Sequence, residues 1–152
     1  MTMQAFSRSL PMMLYSALDA VMPRFRKIFK KFGLTEQQWR VLRVLWEVDQ
    51  IPFHTLAQIT LIPPPSLVGI IDRLAASELV GRRRSETDRR VVYVSATASG
   101  QKLENKVRAE VDRVYTDLRG SIEPAVWKQL MAGLGNIVSS CGDEATQKQL
   151  TR

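Results

Sequence analysis

Apolar residues in the first part of the chain recur at three- and four-residue steps: Leu10, Met13, Leu14, Ala17, Leu18, Val21, Phe25, Ile28, Phe29 and Phe32. That period marks a long helix with one broad apolar face. Pro23 falls inside it and predicts a kink, because its ring removes a backbone hydrogen bond and crowds the preceding turn. The end is basic, "RFRKIFKK", and Gly33 follows, which suits both the helix dipole and a left-handed cap. A second helix opens at Thr35, with Gln38 in capping-box spacing. It carries Trp39, Leu42, Leu45 and Trp46 inward and stops before Asp49. Ile51 to Phe53 read as a short extended piece around Pro52, and Leu56, Ala57 and Ile59 as a brief helix. The run "IPPPS" forces a break, since proline drives its predecessor out of helical space, yet proline suits the first turn of a new helix. That helix holds Leu67, Ile70, Ile71 and Leu74 on one side and ends around Ser77 to Leu79.

The pattern then changes. Val80 to Arg84 and Val91 to Ser95 read as two strands joined by a turn through Ser85 to Arg89. Beyond them, Leu103, Val107, Val111, Val114 and Leu118 mark a long helix, and Trp127, Leu130, Met131, Leu134, Ile137 and Val138 another after Pro124. Two short helices split by a tight break and followed by a hairpin form the layout of a winged helix-turn-helix. The expected fold class is therefore mainly α with a small β wing. A winged lobe over residues 34–97 is flanked by a helical dimerisation region over 5–33 and 98–141, and the polar tail from Gly142 reads as frayed. The apolar faces of the first helix and the last two are too long for that lobe alone to cover. They are expected to pack on each other and on a second copy of the chain. A two-fold dimer also suits palindromic duplex, whose successive major grooves lie about 34 Å apart.

Charge narrows the partner. The 152 residues carry 22 Lys plus Arg against 15 Asp plus Glu, a formal +7, which favours a polyanion such as nucleic acid or an anionic membrane surface. The stretch "RRRSETDRR" puts five arginines between Arg82 and Arg90, on the hairpin. An arginine at a hairpin tip can enter a narrow minor groove, so Arg89 and Arg90 are the candidate groove residues, with Arg82, Arg83 and Arg84 as backbone anchors. Asp88 would orient Arg90, or another wing arginine, through a carboxylate fork. A bilayer gives these arginines no purpose, which counts against a protein lying on membranes through its first helix.

In the candidate recognition helix, Pro63, Pro64 and Pro65 each remove an N–H that could grip a phosphate. Ser66 is the one hydroxyl of the first turn, Gly69 permits close approach to the duplex, and Arg73 reads as a phosphate contact or a helix-surface ion pair. Specificity is expected to lean on DNA shape and the wing.

Other chemistry is sparse. A single cysteine, Cys141, excludes an intrachain disulfide and a multi-cysteine zinc site, and a reducing compartment, the cytoplasm, is expected. Cys141 reads as inert rather than as a peroxide sensor. His54, the one histidine, lacks companions for a metal. No nucleophile–base set or phosphate-cradling loop is evident, so neither an enzyme nor a cofactor is expected. "LPMMLYSALDAVM" is interrupted by Pro11, Ser16 and Asp19 and reads as helix rather than signal peptide.

Asp88-Arg89-Arg90 with Val94, Thr97 and Gly100 fits D-x-R followed by V-x-x-T-x-x-G, which resembles the wing and following helix of the MarR family of bacterial transcription regulators. The segments "FHTLAQITLIPPPSLVGIIDRLAASELVGR" and "LTEQQWRVLRVL" are similar to that family's helix-turn-helix and second helix, and the likeness covers about residues 9 to 140. Within the family the chain looks most like regulators of hydroxyphenylacetate-type catabolism, the homoprotocatechuate-operon subgroup. The resemblance implies a homodimeric repressor of a palindromic operator, released by a small aromatic carboxylate. It also implies a ligand set of Ser9, Trp39, Arg43 and Tyr115: Arg43 for a carboxylate, Trp39 for a ring, Tyr115 and Ser9 for hydrogen bonds. Pro11 and Leu18 depart from the subgroup's polar positions and make such a pocket less polar. Trp39 and Tyr115 also fit plain core packing, and a winged-helix protein without any ligand is the alternative.

Overall fold

Thr35 starts the helix on which the winged lobe packs. In the computed structural model, which describes residues 5–141, its hydroxyl accepts the Gln38 N–H at 3.1 Å and the Gln38 side chain accepts the Thr35 N–H at 2.9 Å. Two of the orphan amides at this helix start, those of Thr35 and Gln38, are thereby satisfied. This helix, α2 (Glu36–Leu45), buries Val41, Leu42 and Leu45, with Trp39 and Trp46 packed at its margin. Helix α1 (Leu10–Lys31), preceded by a short 3-10 turn (Phe6–Arg8), runs unbroken through Pro23 and ends at Gly33, whose φ is 69°.

Then β1 (Ile51–Pro52) leads into α3 (Phe53–Thr60) and α4 (Pro64–Ala76), which cross at 105°. Leu61 makes the turn with φ 53°. Its N–H donates to the Gln58 carbonyl at 3.1 Å and the Ile62 N–H to the Ala57 carbonyl at 3.2 Å, the double bond of a left-handed helix cap. No glycine announces it, and the left-handed backbone of a leucine costs about 1–2 kcal/mol. The burial of Leu56, Ile62 and Leu67 around the turn offsets that cost.

Strands β2 (Val80–Arg84) and β3 (Val92–Ala96) pair antiparallel, with β1 on the other side of β3, giving the order β1-β3-β2. The returning strand starts at Val92 rather than Val91, because the Val91 N–H closes the turn onto the Asp88 carbonyl at 2.9 Å. Val94, opposite Ile51 and Arg82, is fully buried and ties the sheet to the helices. Helix α5 (Ala98–Gly120) follows, and α6 (Pro124–Cys141) completes the described chain. The tail from Gly142 lies outside the described residues.

The end helices meet expectation in part, since α1 packs on α5. Within one chain α1 does not pack on α6 over its apolar length. Its second half packs on the lobe and α5 through buried Phe25, Ile28 and Phe29, with the Phe25 and Tyr115 rings 5.1 Å apart. Leu10, Met13, Leu14 and Leu18 stay exposed, and α6 buries no residue.

Candidate nucleic-acid interface and ligand cleft

Helix α4 turns Leu67, Ile70, Ile71 and Leu74 inward, so period alone sends Pro64, Pro65, Ser66, Val68, Asp72 and Arg73 to solvent. Gly69 lies on the same outer side, half-buried, and a Cβ there would make only ordinary contact with Arg73. The hairpin rises beside this face. Ser85 shapes its tip by accepting the Thr87 N–H at 3.3 Å and the Asp88 N–H at 3.2 Å.

The five wing arginines are all exposed but not equivalent. Asp88 clasps Arg90 three times: its Oδ1 accepts the backbone N–H at 3.0 Å and the Nε–H at 3.1 Å, and its Oδ2 accepts an Nη2–H at 3.1 Å. These bonds, the side-chain pair foremost, hold the Asp88 carboxyl below its ordinary 3.8. Arg82 is ion-paired to Asp72 of α4 and so braces the wing against the helix beside it. Arg83 lies over the Tyr93 ring at 5.8 Å, 3.6 Å from Glu86 and 3.3 Å from the Gln50 side chain. Arg84, Arg89 and Arg73 have no acidic partner among the described residues. Between α4 and the wing lies a notch of about 290 Å3, lined by Phe53, His54, Val68, Arg82, Arg90 and neighbouring wing valines.

A second concavity opens between α2 and α5. It is a cleft of about 90 Å3 lined by Trp39, Arg43, Trp46, Glu104, Arg108, Val111, Asp112 and Tyr115. Three of the four residues expected to hold a ligand thus converge. Ser9 does not: it precedes α1, and its hydroxyl donates to the Phe6 carbonyl at 2.8 Å. Trp39 is fixed between the Phe29 ring, 4.9 Å away and stacked, and the Trp46 ring, edge-on at 5.4 Å. Both cations of the cleft already have carboxylates, Arg43 with Glu47 at 2.6 Å and Arg108 with Glu104. Among the described residues no group of three metal-binding side chains occurs, and no single helix is long and apolar enough to cross a membrane.

The MarR family profile matches residues 34–92, the segment that forms α2, α3, α4 and most of the wing. The homoprotocatechuate degradative operon repressor of Escherichia coli is 38% identical over 122 residues, spanning 80% of this chain and 82% of that one. This chain belongs to the MarR family. The regulator FarR of Neisseria gonorrhoeae is 36% identical over 140 residues, 90% of this chain and 96% of that one. Among solved structures, NadR in complex with 4-hydroxyphenylacetate matches with a TM-score of 0.74 at 35% identity, covering 88% and 97% of the two chains.

The MarR winged helix is a DNA-binding regulator fold, and these curated relatives are transcription regulators. On the α5 side of the cleft the MarR likeness pointed to Tyr115 alone. Glu104, Arg108, Val111, Asp112 and Tyr115 recur at helical spacing, so one face of α5 could have been drawn. Charged members made it read as a solvated surface. Asp72 was missed as a wing partner because its bond to Arg82 joins separate elements.

Proposed function

We propose that the protein is a homodimeric, cytoplasmic MarR repressor that reads a palindromic operator and releases it on binding a small aromatic carboxylate. The observation that carries the DNA reading is the juxtaposition of a solvent-facing, proline-led α4 with a wing bearing five exposed arginines. In this reading Arg89 and Arg90 enter the minor groove, and Arg82, Arg83, Arg84 and Arg73 hold phosphates. Ser66 and Gly69 meet the major-groove edge, and Asp88 presets Arg90. Arg82 combines its phosphate contact with bracing, since Asp72 takes up part of its charge.

The winged lobe is assigned to 34–97 and the dimerisation helices to 5–33 and 98–141. Exposed Leu10, Leu14, Leu18, Leu130 and Met131 form the surface that a second copy would cover. Catalysis has no part in this reading.

The effector reading rests on the cleft. A ring between Trp39 and Tyr115 would direct its carboxylate to Arg43, displacing Glu47. Ser9 would join this set from a dimer partner or on movement of the chain before α1. The resemblance to NadR makes 4-hydroxyphenylacetate the first acid to try.

A gel-shift series on duplex from the promoter nearest its own gene tests both halves. Arg90→Ala should weaken binding about tenfold and Ser66→Ala less than threefold, as shape readout requires. The reverse order would overturn the wing reading. Binding that persists unchanged at saturating aromatic acid would leave the ligand-free alternative.

A further inference from the structure

One indole nitrogen joins the cleft to the recognition helix. The Trp46 Nε1–H donates to the Gly100 carbonyl, in the first turn of α5, at 3.0 Å. Gly100 is packed so tightly against the end of α4 that a Cβ there would stand 2.2 Å from the Leu79 carbonyl oxygen. That end is itself a left-handed cap. Glu78 has φ 56°, its N–H donates to the Ala75 carbonyl at 2.9 Å, and the Leu79 N–H donates to the Leu74 carbonyl at 2.9 Å. Both of the cap's own carbonyls are taken by Thr97, whose hydroxyl donates to Glu78 at 2.5 Å and whose N–H donates to Leu79 at 3.1 Å. Thr97 in turn caps α5 by accepting the Gly100 N–H at 3.1 Å. The Trp46 ring, the start of α5 and the end of α4 therefore form one train of direct contacts.

We infer that Trp46 is the positioning residue that passes occupancy of the cleft to the recognition helix. Its ring is a wall of the cleft, edge-on to Trp39, so a bound ring that moves Trp46 must pull on or release the Gly100 carbonyl. The hard contact at Leu79 turns that movement into a change in the angle of α4 and the root of the wing, since β2 begins at Val80. Packed elements of this kind switch between arrangements rather than deform smoothly. The inference rests on the effector reading above.

The test compares operator affinity, by anisotropy of a labelled duplex, with and without saturating 4-hydroxyphenylacetate. Taking the ratio at saturation removes any change in effector affinity itself. Wild type should lose about tenfold in operator affinity, within the usual range of coupling between sites. Trp46→Phe, which keeps a ring but has no N–H, should lose less than about threefold. Equal ratios in the two proteins would overturn the inference alone. No change in the wild type would instead remove the effector reading, and the inference with it. Should the variant not fold, amide exchange in the wild type decides: the acid should alter protection at Thr97 and Gly100, and unchanged exchange there refutes the link.

Discussion

The winged lobe and the two end helices both carry apolar residues at regular spacing but stand in opposite conditions. In the lobe, Val41, Leu42, Leu56, Leu67 and Val94 are fully buried, and its helix ends are closed by a capping box and two left-handed caps. Along the first half of α1 and on α6, Leu10, Met13, Leu14, Leu18, Leu130 and Met131 meet solvent, and α6 buries no residue. A lobe whose core is closed within one chain, with the second half of α1 and one face of α5, can hold α4 and the wing in fixed register. Helices that leave a continuous apolar face open have their stability tied to whatever covers it. The first region places the cations; in the proposed dimer, the second would set how many sets of cations act together.

The comparison breaks most directly at the uncovered faces. Replacing Leu14 and Leu130 together by Asp puts charge on both, and sedimentation should then report monomers. Operator affinity should fall by roughly 100-fold, because two linked half-sites gain about that factor or more over one. A variant that stays dimeric with affinity within about threefold of wild type would remove these helices as the joining surface.

Core deletion sharpens the contrast. Leu42→Ala removes a fully buried side chain and should cost about 2–5 kcal/mol in denaturant unfolding. The cost should be the same at every protein concentration if the lobe's core is complete in one chain. Leu14→Ala should instead shift the unfolding midpoint in a concentration-dependent way, as a contact between copies requires. Concentration dependence of the Leu42 effect, or its absence for Leu14, would erase the distinction drawn between the regions.

How far the sequence carried the reading follows from the range of the forces involved. Thr35 with Gln38, the proline run before α4 and the switch of period at Val80 are local signals, and the elements they predict are present. The left-handed turns at Leu61 and Glu78 were illegible, because neither residue prefers that backbone and only packing around them holds it. Likewise the difference between tethered Arg82 and untethered Arg89 depends on Asp72, ten residues from Arg82 and on another element. The convergence of Trp39, Arg43 and Tyr115 came through family resemblance; spacing alone gives no reason for α2 and α5 to share a cleft.

The smallest expected effect lies at the tip of the wing, where the ordered lobe reaches solvent. Arg90 is 91% exposed, so nothing but Asp88 orients it among the described residues. Because Arg90 favours the charged carboxylate, the folded-state value lies below 3.8. Stability from the clasp is then present above 3.8, where Asp88 is ionised in both folded and unfolded chains, and is lost as pH falls through the lower folded value. At neutral pH the clasp is fully formed, and no acid-sensitive change in the wing should arise from it above about pH 5. Following the Arg90 amide by NMR from pH 6 downward should give a midpoint below 3.8. A midpoint at or above that value would mean that solvent, not Asp88, sets the direction of Arg90, and that the wing is no more preorganised than the exposed helices it is contrasted with.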